Sequence, residues 1–494
     1  MNDLRRQHPL YIVYAFSKYL VLLIFPLLRS LLLLRGNVLA WVRGAWMDLM
    51  VVFLIVLFGV VQWSAIQYSL RLKGIYVESG FFVQKARYLP FKNLSSVTLE
   101  APFYLRPLKI VRLRMETDGG SRSQADAVLL LRRDRADEIL AACTKRLAEG
   151  EGGPKGVRTY HPRALYIAIL SLITSNTLTG VLFAATFISQ SGKVLGGAFE
   201  KLLMDSITRL IQILAFNLPP AAAMLAAVLL GGWGIAFLMT LVSHLGFRAR
   251  REKRMLAVKV GVITKKEAYM AVERVNYVQL RQSLMTILCG FCSAFLNCTG
   301  YGKEKNEMAV LFPAVEKQDL RRTLRLILPE IKVSPRKYKP YIKVLTRFLI
   351  PPLTLMLVFA VLFGGLWYFF PGLRQLNLFF GIMAEIPAVW WLFVKIAAYF
   401  HVGIGVRGDS FTFRFTFGYA FYTVALHKDK IAKIETQQSL FQKMSKCSDV
   451  IIYPFSERQR RMRIHNIRQS EVEEFLRIFP AACAGGPGTP PRCP

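Results

Sequence analysis

The chain has 494 residues, with 65 Lys and Arg against 31 Asp and Glu and a net charge of +34 with histidine neutral. Its residues are 53% hydrophobic and 19% charged, against roughly 45–50% and 25% in soluble domains, which excludes disorder, a collagen-like rod and a small disulfide scaffold. A soluble nucleic-acid binder can carry such charge, but the mean hydropathy of +0.35 fits a membrane protein with its basic parts on one side of the bilayer.

In chain order, residues 1–8 carry Arg5 and Arg6. The apolar stretch after them has no small-residue cleavage site and outruns a signal-peptide core, which predicts a retained anchor. Apolar windows of about 20 residues, the length that crosses a hydrocarbon layer of roughly 30 Å, fall at 11–34, 46–66, 164–188, 219–243, 345–370 and 377–399. These are six spans in three pairs, separated by polar stretches with strand-like alternation. Within the middle pair the connection, 191–217, is weakly amphipathic. Residues 247–281 hold ten Lys and Arg, whereas the loops inside the pairs offer few, such as Arg35 and Arg43 in the first and Arg374 in the third. The positive-inside bias then puts the polar units and both termini in the cytoplasm. The predicted organisation is hairpin 1 over 1–66, a folded unit over 67–150, hairpin 2 over 160–245, a unit over 246–330, hairpin 3 over 340–400, a unit over 401–480 and a disordered tail over 481–494. Seven cysteines, odd in number and irregularly spaced, give no secreted framework and read as reduced in the cytoplasm.

The polar units repeat. Gly80-Phe81-Phe82 is followed by Leu89, Asn93-Leu94 and Val97; Gly261-Val262-Ile263 is followed at identical spacing by Met270, Arg274-Val275 and Val278. A third copy, Gly418-Tyr419-Ala420, is one residue shorter to Leu426, then continues with Lys430-Ile431 and Ile434. All three next place a large apolar residue, Phe103, Leu284 and Leu440, preceded in two copies by Gln282-Ser283 and Gln438-Ser439. Similar steps, His8-Pro9, His161-Pro162 and Lys339-Pro340, announce the hairpins. Glycine supplies the positive φ that a strand turn needs. Phe411, Phe413, Phe415 and Phe417 alternate with Thr412, Arg414 and Thr416 as in a half-buried strand. Helical patterns over 134–147, 316–328 and 469–479 close the units.

An apolar hairpin followed by Gly-apolar-apolar, an apolar residue nine on and then Asn, Arg or Lys before aliphatic-x-x-aliphatic resembles the bacterial pleckstrin-homology (PH) domain membrane proteins of the YdbT-like kind. The likeness runs over nearly the whole chain. It implies a membrane α+β protein of six transmembrane helices in three hairpins. Each hairpin would be followed by a cytoplasmic PH-like β-sandwich or barrel of about seven strands with a C-terminal helix. It implies no catalytic residues, a smaller membrane relative with one such domain as companion, and an envelope- or stress-related role.

Cys289-Gly290-Phe291-Cys292 has dithiol spacing, but it is solitary, and the repeat puts Gly290 at the entry to a strand, so a structural role is expected. Glu385 lies in the sixth span with Pro387 and Lys395 nearby; it reads either as a proton or ion relay or as a hydrated group near the span's outer end. Ser171, Thr174, Ser175, Asn176, Thr177 and Thr179 give the third span a polar centre. Such groups suit helix-to-helix hydrogen bonds, worth about 0.6 kcal/mol each, or a substrate path. Gly231, Gly232, Gly234, Gly364 and Gly365 suit close helix packing. The basic cluster at 248–254 follows a span, where topology explains it. Arg458, Arg460, Arg461 and Arg463, with Tyr453 and Phe455, are the better candidates for a lipid headgroup or partner face. No catalytic motif, nucleic-acid platform or ligand-spaced histidine cluster is visible. The expectation is a non-enzymatic scaffold or regulatory protein without cofactor or metal. It would bind membrane lipids and either a smaller PH-domain membrane protein or another copy of itself, and no nucleic acid. The alternative is an ion- or proton-coupled transporter built on Glu385 and the polar span around Asn176.

Overall fold

The computed structural model describes residues 4–14, 42–44, 46–81, 83–117, 125–148, 156–195, 197–215, 220–298, 310–455 and 461–478. In the first unit, β1 (Arg5–Arg6) precedes the apolar segment and β2 (Gln67–Arg71) follows helix α1 (Trp46–Ser64). The pairing Arg5↔Tyr68 ties both ends of that segment into one sheet, completed by β3 (Gly74–Ser79) and β4 (Lys85–Pro90) in the order β1-β2-β3-β4. Alternation decides its faces: Ile75 and Val77 are buried while Tyr76 and Glu78 are partly exposed. Gly80, at φ +107°, makes the turn between β3 and β4, where any Cβ would run into the Val83 carbonyl oxygen. Gly261 repeats this arrangement at φ +92° against the Thr264 carbonyl. A 3-10 turn then leads into β5 (Leu94–Pro102), β6 (Ile110–Thr117), β7 (Ala127–Arg132) and closing helix α2 (Arg133–Ala148).

The second unit starts at β8 (Val157–Tyr160). Its helices are α3 (Ala164–Thr174), α4 (Thr177–Leu195), α5 (Gly197–Ala215) and α6 (Pro220–His244). Strands β9 (Arg248–Glu252), β10 (Met255–Val260) and β11 (Thr264–Ala271) form one half, and β12 (Val275–Ser283), α7 (Leu284–Leu288), β13 (Phe291–Cys298), β14 (Val310–Glu316) and α8 (Leu320–Ile327) the other. The third has α9 (Leu345–Phe369) and α10 (Arg374–His401), then β15 (Gly403–Arg407), β16 (Ser410–Phe417) and β17 (Ala420–His427). It ends on β18 (Ile431–Gln437), α11 (Leu440–Met444), β19 (Cys447–Pro454), β20 (Met462–Arg468) and α12 (Gln469–Arg477). A bridge Tyr338↔Ile404 stands where β1 and β8 stand in the other units. The helix expected over 316–328 begins only at Leu320, because Glu316 still pairs with Phe291.

Each unit folds its two half-sheets around an apolar core. Leu89, Val97, Leu113 and Leu129 meet Ile139 and Cys143 of α2; Met270, Val278 and Phe312 meet Leu324 and Ile327 of α8; Phe411, Phe413, Val450 and Ile464 meet Val472 and Phe475 of α12. A register shift falls at the same place in all three, between Leu94 and Ser96, Val275 and Tyr277, and Ile431 and Lys433. A shared bulge is a specific device, so the third copy keeps the others' register after its one-residue deletion.

Among the described residues, three helical segments are long and apolar enough to cross a membrane: Ala223–His244, Ile342–Phe369 and Pro371–His401. The six spans expected in three pairs are only partly matched. Residues 11–34 lie almost wholly outside the described residues, and the second candidate is the shorter apolar helix Leu49–Ser64. The third, 164–188, is two helices bent by 82°. The polar run explains the bend. Ser171 and Thr174 turn back onto the Ile167 and Leu170 carbonyls at 2.8 and 2.7 Å, and Asn176 Oδ1 accepts the Leu178 N–H at 3.2 Å to start α4. Of the glycines expected at helix contacts, Gly232 fits: a Cβ there would strike Val181 of α4, and Gly180 lies against the Gly232 carbonyl. Gly231, Gly234, Gly364 and Gly365 face open space.

Candidate interaction surfaces

The half-sheets do not stop at unit boundaries. One seven-stranded sheet runs β7-β6-β5-β11-β10-β9-β8, and one six-stranded sheet runs β14-β13-β12-β17-β16-β15. Unit 2 is therefore joined to unit 1 through β5 and β11, from Ser96↔Met270 to Pro102↔Thr264. It is joined to unit 3 through β12 and β17, from Tyr277↔Leu426 to Ser283↔Ala420. Ser96 and Tyr277 are equivalent in the repeat, as are Met270 and Leu426, so the two junctions share one register. Unit 2 also sends one tyrosine each way: Tyr269 packs against the core of unit 1 and Tyr277 sits within that of unit 3.

Polar groups lock the first junction. Arg106 donates to the Val262 carbonyl and, at 2.7 Å, to that of Ile263. Glu267 takes Lys259 at 3.2 Å and Arg133 of unit 1 at 3.4 Å. Burial raises the Glu267 carboxyl, but Lys259, Arg133 and the bonds they and Tyr269 make outweigh it and leave it below the usual value. At the second junction the Arg281 guanidinium lies 5.9 Å from the centre of the Tyr422 ring.

Among the strands that end a sheet, β4 of unit 1 and β18 of unit 3 are the counterparts of the strands paired at the two junctions. Beside β18, α11 exposes Leu440, Phe441 and Met444 by 83%, 73% and 84%. A buried polar network holds α11 in place. Asp449, 1% exposed, takes Gln442 of α11 at 2.6 Å and the Asn466 N–H at 2.9 Å on one oxygen. The other oxygen takes Arg463 and His465, each at 2.9 Å. Burial raises the Asp449 carboxyl, but the bonds and charge from His465, then Asn466 and Arg463, prevail and hold it below the usual range.

Arg463 thus spends its Nε on Asp449, and Arg461, just before the same strand, is exposed. Arg458 and Arg460 lie outside the described residues. Of the earlier basic cluster, Arg248, Arg250 and Arg251 lie on β9 and Lys253 and Arg254 in the turn after it; Arg251, 1% exposed, forks onto Glu330 at 2.6 and 2.8 Å. Cys289 is exposed after α7, whereas Cys292 is buried in β13 and its thiol is pushed up to about 12 by burial. That is the reverse of an activated dithiol.

Among the described residues, two of the cavities adjoin the apolar helices. The larger, about 1270 Å³, opens between the ends of α3 and α6 and the mouth of unit 2, and its lining includes Lys266, Arg281, Ser283 and Tyr419. The other, about 940 Å³, is an apolar groove along α9 and α10 lined by Phe359, Trp367, Asn377, Glu385 and Trp390. Among the described residues, one Glu385 oxygen is buried there without a hydrogen-bond partner. Asn176 lies at the α3–α4 bend and does not line this groove. Among the described residues Glu385 and the polar run around Asn176 are not brought together in one path, and the transport alternative finds no support.

Tandem PH-like sandwiches joined edge to edge and bound to apolar helices define a class: membrane proteins built on bacterial PH domains. The chain belongs to the bacterial PH domain family, whose model matches residues 19–147 and 208–331. It is similar to YdbT, a transmembrane protein of Bacillus subtilis (strain 168), with 24% identity over 360 residues, 67% of this chain and 71% of that protein. No solved structure matches. The third unit lies beyond the matched residues, and its strand order and bulge align it with the other two.

Proposed function

We propose that the chain is a multi-pass, non-enzymatic scaffold of the bacterial inner membrane, with its hairpins in the bilayer and all three PH-like units on the cytoplasmic face. The observation that carries this reading is the strand-to-strand joining of the units. Units hung separately on flexible tethers would move independently, whereas ladder-bonded units make one rigid platform whose outer edges and apolar tips face partners. Anionic headgroups fit the cavity at the mouth of unit 2, where Lys266 and Arg281 lie beside helix ends. An envelope-related role follows from the family resemblance.

Single cysteines in place of the exposed Lys265 and the half-buried Lys430, introduced with Cys289, Cys483 and Cys493 replaced by Ser, test the topology. Both should react with a membrane-impermeant maleimide only after cells are permeabilised, and labelling of either one in intact cells overturns the reading. Anionic lipid should co-purify with the chain and be depleted by K266A/R281A; unchanged lipid content removes the headgroup role. A strain lacking the protein should survive membrane-perturbing agents less well than its parent, and equal survival removes the envelope role.

A further inference from the structure

The two internal junctions follow one rule: the first strand of a unit's second half-sheet pairs with the last strand of the next unit's first half-sheet. The rule leaves one strand of each kind at a sheet end, β18 in unit 3 and β4 in unit 1. We propose that β18 of one copy pairs antiparallel with β4 of a second copy in the register of the internal junctions, joining chains head to tail.

Equivalent positions fix that register without adjustable choice. Val97 faces Tyr269 across the first junction. Ile434 is the counterpart of Val97, and Tyr88 that of Tyr269, so Ile434 of one copy faces Tyr88 of the next. The same alignment sets Glu435 opposite Arg87 and Thr436 opposite Ala86.

Exposure at these positions fits a missing neighbour. Val97 and Val278, covered across their junctions, are 0% exposed; Ile434 is only partly buried. Tyr269 packs on the neighbouring core, whereas Tyr88 is 46% exposed. Lys85, Ala86 and Arg87 of β4 are exposed, as are Lys433, Thr436 and Gln437 of β18. Charge on an edge often serves to prevent pairing, yet β11 carries Lys265, Lys266 and Glu267 and is paired. Here the opposed charges match, since an acidic residue meets an arginine.

This contact is heterologous, so it generates a ring or an open row. With every hairpin in one bilayer, the repeat has no rise along the membrane normal, and a closed ring is the arrangement that leaves neither β4 nor β18 unpaired in any copy. The inference rests on the scaffold reading and names its partner as a second copy of this chain.

The test uses the full chain in its own membranes, with Cys289→Ser to remove the thiol exposed among the described residues and Cys483→Ser and Cys493→Ser to remove those of the tail. Two differently tagged chains are co-expressed, one with T436C and one with A86C, and treated with a short thiol-to-thiol crosslinker. A product joining the two tags is expected, with a ladder of multimers from the T436C/A86C double variant. The mismatched pair T436C with R87C, whose side chains leave opposite faces, should give about tenfold less. Y88S, at an exposed site, should leave the fold intact and reduce the product. Crosslinking of T436C to itself or of A86C to itself would mean a twofold-symmetric contact and overturns the proposal, as does a product formed only with a smaller PH-domain protein. If both cysteines react from the cytoplasmic side yet give no product, only the head-to-tail contact fails. Reaction from opposite sides of the membrane sinks the scaffold reading as well.

Discussion

Helices α7 and α11 occupy the same place in the second and third units, and both begin with a reciprocal cap. Ser283 Oγ accepts the Thr286 N–H at 3.2 Å while Thr286 Oγ1 accepts the Ser283 N–H at 2.7 Å. Ser439 and Gln442 exchange the same bonds at 3.3 and 2.9 Å. What holds each helix down differs. Leu284 and Ile287 of α7 pack with Phe348, Trp390 and Val394 of the hairpin belonging to the next unit. The apolar side chains of α11 are uncovered, and polar contacts hold it: Gln442 reaches Asp449 and Asn466 at 2.6 and 2.9 Å, and Arg347 of α9 donates to the Phe441 carbonyl and, at 3.0 Å, to Ser445 Oγ. Unit 2 has Ser293 where unit 3 has Asp449. A helix with an apolar neighbour is placed by packing; one presenting its apolar face outward needs polar anchorage beneath it.

The comparison breaks most visibly at Asp449. Replacing it by Ala strands Arg463, His465 and Gln442, and removing one partner of a buried charged network costs about 3–5 kcal/mol. The buried thiol of Cys447, two residues before Asp449 at the start of β19, reports on it: its labelling should accelerate sharply in D449A while the Cys292 thiol of unit 2 stays protected. Equal protection in D449A and the parent chain would show that the network does not hold unit 3. Acid sharpens the point. The folded-state value of Asp449 lies below its ordinary 3.8, so its contribution is complete above that ordinary value and is lost as pH falls through the depressed one. Acid should therefore open unit 3 of the parent chain, and D449N, already lacking the charge, should show a flatter acid limb in the same labelling assay.

Much of this architecture is written in local pattern. The glycine turns were legible because positive φ and a crowding carbonyl leave glycine little competition, and the period-2 phenylalanines mark β16 because Phe411 and Phe413 face a core. The junctions were not legible. Alternation tells which face of β5 or β12 is buried, but says nothing of which strand takes its edge hydrogen bonds. The polar run from Ser171 looked like the middle of a span because hydropathy averages over the window, whereas Ser, Thr and Asn act singly on nearby backbone. Gln442, Asp449 and Asn466 carry no motif spacing. Their one signal is an aspartate beside the apolar run Val450-Ile451-Ile452, with a basic strand following it. Arg463 was legible as a basic surface residue, but its bond to Asp449 depends on β19 pairing with β20.

The smallest expected effect separates the two helices most cleanly. Ser283→Ala and Ser439→Ala each remove one cap, worth about 1 kcal/mol, so their effects on the whole chain should be alike. Locally they should differ. Without its cap, α7 is still clamped through Leu284 and Ile287 against Phe348 and Trp390, and amide hydrogen exchange over 284–288 should change little. In α11 the cap fixes Gln442, whose side chain both closes the box and reaches Asp449. Loss of Ser439 Oγ frees the Gln442 N–H and loosens that double use, so exchange over 440–444 should rise by about five-fold, the equivalent of 1 kcal/mol of local opening. Equal protection factors in the two variants would mean that packing and polar anchorage hold these helices equally well, and the distinction drawn between the inner and outer units would then rest on exposure alone.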